Sequence, residues 1–141
     1  MPKIDNYVLD SYALIGYLED EPFAKWLQQL LLSARKGRCR LYIHALQLGE
    51  VYYITLREQG KPVADLAYAR IKAFPLTIID VIDEKLLLSA ASLKATFPVS
   101  YADSFAAALA RIYDAVLLTG DPEFAALEEK GLISIKWLNR M

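Results

Sequence analysis

The sequence predicts an α/β domain with a central, mostly parallel sheet flanked by helices. Three observations carry that expectation. Short apolar runs alternate with longer stretches of helical periodicity, the pattern of repeated strand–helix units. The run Ala115 to Leu118 is apolar throughout, as a central strand covered on both faces must be. The chain of 141 residues is long enough to bury a core and holds no internal repeat, low-complexity tract or Gly/Ser linker, so a single domain over 1–141 is the economical reading.

Taken in order, Tyr7-Val8-Leu9 reads as a short strand ending at Asp10, and Ser11 to Leu18 as a helical turn or two. Glu21-Pro22 opens a helix running to about Lys36 and stopped by Gly37, since proline suits the first helical turn and glycine the exit. Arg40-Leu41-Tyr42-Ile43 is a second strand. Ala45 to Gln59 is a helix closed by Gly60, and Lys61-Pro62 starts another that reaches Ala73 before Pro75. Leu76-Thr77-Ile78-Ile79 is a third strand. Asp83 caps a helix through about Thr96, ended by Pro98, and Ser100 or Tyr101 starts one through about Tyr113. Ala115 to Leu118 is the fourth strand, Asp121-Pro122 begins a short helix ended by Gly131, and Ile133 to Leu138 reads as a last strand.

Composition narrows the function classes. Hydrophobic residues make up 55% of the chain and the mean hydropathy is +0.23, above the ~45–50% apolar content of an average soluble domain. That surplus points to a homodimer interface or a partner protein. Sixteen Lys and Arg against 17 Asp and Glu give a net charge of −1, which argues against extensive wrapping by nucleic acid but leaves room for a local basic patch. One cysteine, Cys39, excludes an internal disulfide and a thiolate zinc cluster, and fits a reducing cytoplasm. The opening Met1-Pro2-Lys3-Ile4-Asp5 lacks the apolar run of a signal peptide, and no stretch reaches the ~18 apolar residues of a membrane helix.

Four acids stand out from the solvated majority. Asp10 directly follows the first strand, at the carboxyl edge where open α/β sheets place ligands; the bland alternative is an N-cap for the next helix. Glu50 has Leu46, Gln47, Tyr53 and Ile54 as helical neighbours, a largely apolar face on which a carboxylate needs a cation or a hydrogen-bond network unless it reaches out to water. Asp103 lies in the first turn of a helix beside Ala106 and Ala107, where the helix dipole alone would favour an acid. Asp121 follows Thr119-Gly120 and precedes Pro122, and so is also a good N-cap. Together, four carboxylates drawn close would repel unless a multivalent cation lay among them. All-oxygen donors select Mg²⁺ or Mn²⁺ over zinc. A hard cation held this way suits hydrolysis of a phosphodiester.

The motifs in register resemble a known family. Val8-Leu9-Asp10-Ser11-Tyr12-Ala13-Leu14, then Leu48-Gly49-Glu50-Val51, then Ser100-Tyr101-Ala102-Asp103-Ser104-Phe105-Ala106, preceded by Ala90-Ala91-Ser92-Leu93-Lys94, then Leu117-Leu118-Thr119-Gly120-Asp121-Pro122-Glu123-Phe124 are similar to the four motifs of PIN domains, in the order seen in VapC-type toxins of type II toxin–antitoxin systems. The resemblance covers essentially the whole chain. It implies a Rossmann-like PIN fold, a Mg²⁺- or Mn²⁺-dependent endoribonuclease, homodimers, and neutralisation by a cognate antitoxin. By position Asp10, Glu50, Asp103 and Asp121 match the acidic quartet, with Asp10, Asp103 and Asp121 as metal ligands, Glu50 completing the site or orienting the attacking water, and Ser11 and Thr119 as hydroxyls supporting the ligands. The implied products carry 5′-phosphate and 3′-hydroxyl ends. The one small departure is Ser104, where small apolar residues are frequent.

Other residues carry weaker expectations. His44, the one histidine, is read as a loop or capping residue rather than a general base. Arg35, Lys36, Arg38 and Arg40 cluster at a helix end, read mainly as dipole-complementing and solubilising, with an RNA phosphate contact as the alternative. Lys94 is a candidate RNA contact. Tyr12, Tyr17, Tyr52, Tyr53 and Tyr101 have rings that can stack on bases, although at helical spacing such rings more often belong to the core or a dimer surface. The stretch from Tyr12 to Leu32 is rich in large apolar residues and would either form a groove for an antitoxin helix or pack onto the sheet and a dimer mate. Two competing classes remain: a phosphoacceptor domain, disfavoured because Tyr12 stands where a haloacid-dehalogenase-type site needs a second aspartate, and a PIN-like module that binds RNA or protein without cutting.

Overall fold

The computed structural model describes residues 4–141. Five strands, β1 (Asp5–Leu9), β2 (Cys39–His44), β3 (Thr77–Ile79), β4 (Val116–Thr119) and β5 (Ser134–Trp137), form one all-parallel sheet in the order β3-β2-β1-β4-β5. The chain builds outward from β1 through β2 to β3, then returns to the other side of β1 and lays down β4 and β5. The order therefore reverses between β1 and β4, and the crevice outside the carboxyl ends of those two strands is the place where such sheets bind ligands.

Seven helices, α1 (Ser11–Leu18), α2 (Ala24–Arg35), α3 (Ala45–Gln59), α4 (Lys61–Lys72), α5 (Glu84–Thr96), α6 (Tyr101–Ile112) and α7 (Ala125–Glu129), complete the fold. Successive strand residues face opposite layers, so the central strands must be apolar on both sides. Val8 and Leu117 join the core beneath α5 and α6, whereas their neighbours Leu9 and Leu118 join the core beneath α1 and α2. Helix α6 is buried from Asp103 to Ala110, and Ala106, Ala107, Ala108 and Ala110 let the strands approach it closely. Of the apolar Tyr12–Leu32 stretch, Leu14, Phe23, Leu27 and Leu31 are core residues, so packing onto the sheet accounts for them, and Leu32 stays exposed.

Local chemistry explains the boundaries. Asp83 accepts Leu86 N–H at 2.8 Å to cap α5, and Gly60 leaves α3 at φ 87°, a conformation that costs glycine little. Three differences from the expected elements have simple causes. Strand β1 starts at Asp5 rather than Tyr7, because a parallel ladder to Cys39 and Arg40 recruits Asp5 and Asn6 whatever their polarity. Glu21 to Phe23 is a turn, with Asp20 at φ 58° and Ala24 N–H bonded to Glu21 O at 2.8 Å, so α2 begins only at Ala24. After Asp121 the chain makes a 3₁₀ turn, Pro122–Phe124, before α7, rather than one helix. Among the described residues no helix is long and apolar enough to cross a membrane.

Candidate metal centre

The pairing of Leu9 with Leu118 sets Asp10, just past β1, beside Thr119 at the end of β4. Asp10 is 1% exposed. Its Oδ1 accepts Ala13 N–H at 3.0 Å, which caps α1, and its Oδ2 accepts the Thr119 hydroxyl. The same Thr119 oxygen accepts Asp121 N–H at 3.0 Å, so one hydroxyl ties the two aspartates together across the topological switch. Asp121 in turn caps the 3₁₀ turn by accepting Glu123 N–H at 2.9 Å.

Two helices supply the remaining acids. Ser100 caps α6 by accepting Asp103 N–H at 3.1 Å, which fixes Asp103 in the first turn with its carboxylate aimed at the sheet edge. From α3, the wholly buried Gln47 donates through Nε2 to Asp103 Oδ1 at 2.8 Å and accepts Ser11 N–H on Oε1 at 2.8 Å. One turn further along α3, the half-buried Glu50 accepts the Ser11 hydroxyl at 3.5 Å. Carboxylate oxygens of Asp103, Asp121 and Glu123 lie within 4.8 Å of one another.

The electrostatics of this cluster are unfavourable as they stand. Burial pushes the Asp10 carboxyl up to about 7, overcoming the hydrogen bonds from Thr119 and Ala13, with Asp103 and Asp121 adding repulsion. Burial likewise raises Asp103, against the bond from Gln47, and Asp121 and Glu123 raise it further. Glu50 is raised first by burial and then by Asp103. Among the described residues no lysine or arginine nitrogen comes within 4.0 Å of these carboxylates, and the one ion pair is the exposed Lys61–Asp65. Buried acids without a protein cation fit a bound divalent ion, and a donor set made only of carboxylate oxygens fits a hard one.

Every candidate acid therefore reaches the same edge of the sheet. Asp103 and Asp121 converge directly, Asp10 sits behind them on Thr119, and Glu50 flanks them through Ser11. Capping and ligation are compatible for Asp10 and Asp121, because each carboxylate oxygen has more than one lone-pair direction. Two residues of the cluster escaped sequence reasoning. Glu123 carries no signal of its own in the sequence beyond its place two residues after Asp121, and the 3₁₀ turn brings its carboxylate to Asp121. Gln47 was visible only as the residue three before Glu50, on the same helical face.

The other candidates lie elsewhere. His44 ends β2 and caps α3, its Nδ1 accepting Leu46 N–H at 3.1 Å, while burial against Phe105 lowers its pKa. Arg35, Lys36, Arg38 and Arg40 stand at the amino end of β2, across the sheet from the carboxylates, and Arg35 donates to Ala73 O at 3.3 Å. Lys94 is exposed in the last turn of α5, with no hydrogen bond or ion pair to the acids among the described residues. Ser104 turns its hydroxyl back onto Tyr101 O at 2.6 Å, which satisfies it without touching the cluster.

The sequence model of the PIN domain matches residues 7–130. The chain belongs to the PIN domain family. Among curated protein sequences, none matches it. Among solved structures, this PIN domain is similar to VapBC2 from Rickettsia felis bound to a DNA fragment from its promoter, at a TM-score of 0.72 and 17% identity over 93% of this chain and 97% of that one. It is similar to a toxin–antitoxin complex from Klebsiella pneumoniae at 0.65 and 15% identity, covering 94% and 97%. It is also similar to VapC20 of Mycobacterium tuberculosis, a toxin that cleaves the sarcin–ricin loop, at 0.65 and 16% identity over 85% and 93%. At these identities the likeness establishes the fold.

Proposed function

We propose that this PIN domain is a Mg²⁺- or Mn²⁺-dependent endoribonuclease and the toxin of a toxin–antitoxin pair. One observation carries the reading: Asp103, Asp121 and Glu123 bring carboxylate oxygens within 4.8 Å of one another at the topological switch, with the buried Asp10 behind them. Such a cluster is costly unless it serves a cation. The reading draws further support from the VapBC2, toxin–antitoxin and VapC20 structures that share the fold.

Asp10, Asp103 and Asp121, joined by Glu123, would hold the ion. A divalent cation there supplies charge neutralisation at a scissile phosphate and acidifies water. Thr119 keeps Asp10 and Asp121 in fixed relation, and Ser11 orients Glu50. Glu50 is half-buried beside the cluster and is the group that orients the attacking water. In-line attack on phosphorus with departure of the 3′ oxygen leaves 5′-phosphate and 3′-hydroxyl ends. An antitoxin and a second copy of the chain account for the apolar surplus, since Leu46, Leu56, Val63 and Leu66 are exposed on α3 and α4, and Val81, Ile82, Leu87 and Leu88 at and before α5.

The test is incubation of purified, antitoxin-free protein with mixed transfer and ribosomal RNA, with Mn²⁺ or Mg²⁺ and then with EDTA. Discrete cuts that vanish with EDTA and in Asp10→Asn and Asp103→Asn proteins are the expected result. Full cleavage by either folded variant overturns the assignment of the site.

A further inference from the structure

A cavity of about 420 Å³ opens beside the carboxylates, between α1 and the Gly120–Pro122 turn, and shares Ser11 and Asp121 with the cluster. That volume falls within the range of small-ligand sites. The Tyr12 ring forms one wall and is 38% exposed. It is held in two ways. It stacks on the buried Phe23 at a centroid distance of 6.0 Å and 23° between planes. Its phenol end also lies over Gly120, where an added Cβ would collide with it. Glu19 and Glu21 line the same cavity, so it repels phosphate and accepts hydrogen-bond donors.

We propose that this cavity seats an unpaired nucleobase of the RNA next to the scissile phosphate, with Tyr12 as its stacking platform and Glu19 and Glu21 facing its donor edge. The proposal rests on the nuclease reading for its substrate. Continuity argues for the occupant: a chain whose phosphate lies at Asp121 must place a neighbouring base within a few ångströms, and the exposed aromatic ring is there. Single-stranded RNA is recognised by stacking of splayed bases on aromatic side chains, and carboxylates accept from exocyclic amines.

Two measurements test it. In the first, a random-sequence RNA pool is cleaved with Mn²⁺ and the ends are mapped. The wild-type protein is expected to show a base preference beside the cut, which Tyr12→Phe keeps and Tyr12→Leu loses. The exposed pair Glu19→Gln and Glu21→Gln, which carries little folding risk, is expected to shift that preference. In the second, cleavage-silenced Asp10→Asn protein binds RNA oligonucleotides carrying 2-aminopurine in Ca²⁺. Stacking quenches the probe, and adding Tyr12→Leu is expected to weaken that binding on the order of 10-fold. A preference and a quench untouched by both sets of changes overturn the pocket. A wild-type protein that cuts nothing overturns the nuclease reading, while the quench still decides the pocket.

Discussion

Gln47 and Asp103 meet inside the protein at 2.8 Å, the amide donating from α3 to a carboxylate that α6 delivers. The other end of the same amide accepts Ser11 N–H, so its orientation is dictated from both sides. Gln47→Leu strands a buried N–H and unties Asp103. It should cost about 1–3 kcal/mol of stability and weaken Mn²⁺ binding on the order of 10-fold or more, as loss of ligand-supporting contacts does. Gln47→Glu, which sets an acceptor against Asp103, should be worse unless it is protonated. Calorimetric titration with Mn²⁺ checks this, and unchanged affinity in a folded Gln47→Leu protein rejects the positioning role.

The pH dependence follows from Asp10. Its carboxyl is near 3.8 in an unfolded chain and about 7 in the fold. A raised folded pKa means the native state holds the proton more tightly. This contribution to stability is complete below about 3.8 and is lost as pH climbs through about 7. The loss amounts to roughly 4 kcal/mol by pH 8 in the metal-free protein. A divalent ion prefers the ionised carboxylate and reverses the trend. Thermal melts should therefore show Mn²⁺ raising Tm more at pH 8 than at pH 6, with EDTA abolishing the difference. A Tm increment independent of pH counts against metal contact with Asp10.

Glu123 is exposed, so Glu123→Gln should change stability by no more than ~0.5 kcal/mol. Its effect should fall on the cation: weaker Mn²⁺ affinity and a higher metal requirement for cleavage. The exposed Glu129→Gln, at the far end of α7, serves as the control. Identical metal titrations for the two variants remove Glu123 from the ligand set.

Gly16 faces Phe23 so closely that a Cβ would collide with the ring. Phe23 is 2% exposed and backs Tyr12, leaving it little freedom to move. Gly16→Ala should destabilise the fold by about 1–3 kcal/mol through overpacking, read as a lower urea midpoint. It should also displace Tyr12, seen as altered tyrosine accessibility. A neutral midpoint implies that Phe23 relaxes freely.

Much of the molecule was legible in the sequence because it depends on near neighbours. The helix Ala45–Gln59 matches residue for residue, since its periodicity and its closing glycine are local signals. So are the Asp83 cap and the apolar run Ala115–Leu118 that becomes most of β4. Asp10 stood out because it closes a strand and opens a helix, and Asp103 because alanines surround it. What the sequence by itself determined is thus the alternation of elements, their caps, and the placement of three acids where a strand end or loop gives way to a helix. The tertiary structure alone decided which of those acids meet. Placing β4 next to β1 brings Thr119 to Asp10, and the 3₁₀ turn returns Glu123 to Asp121. The packing of α3 against α6 inserts Gln47 between Ser11 and Asp103. The contacts of Thr119 with Asp10 and of Gln47 with Ser11 and Asp103 join residues 36 to 109 positions apart, beyond the reach of any helical or strand period, and they exist only once the strand order is set.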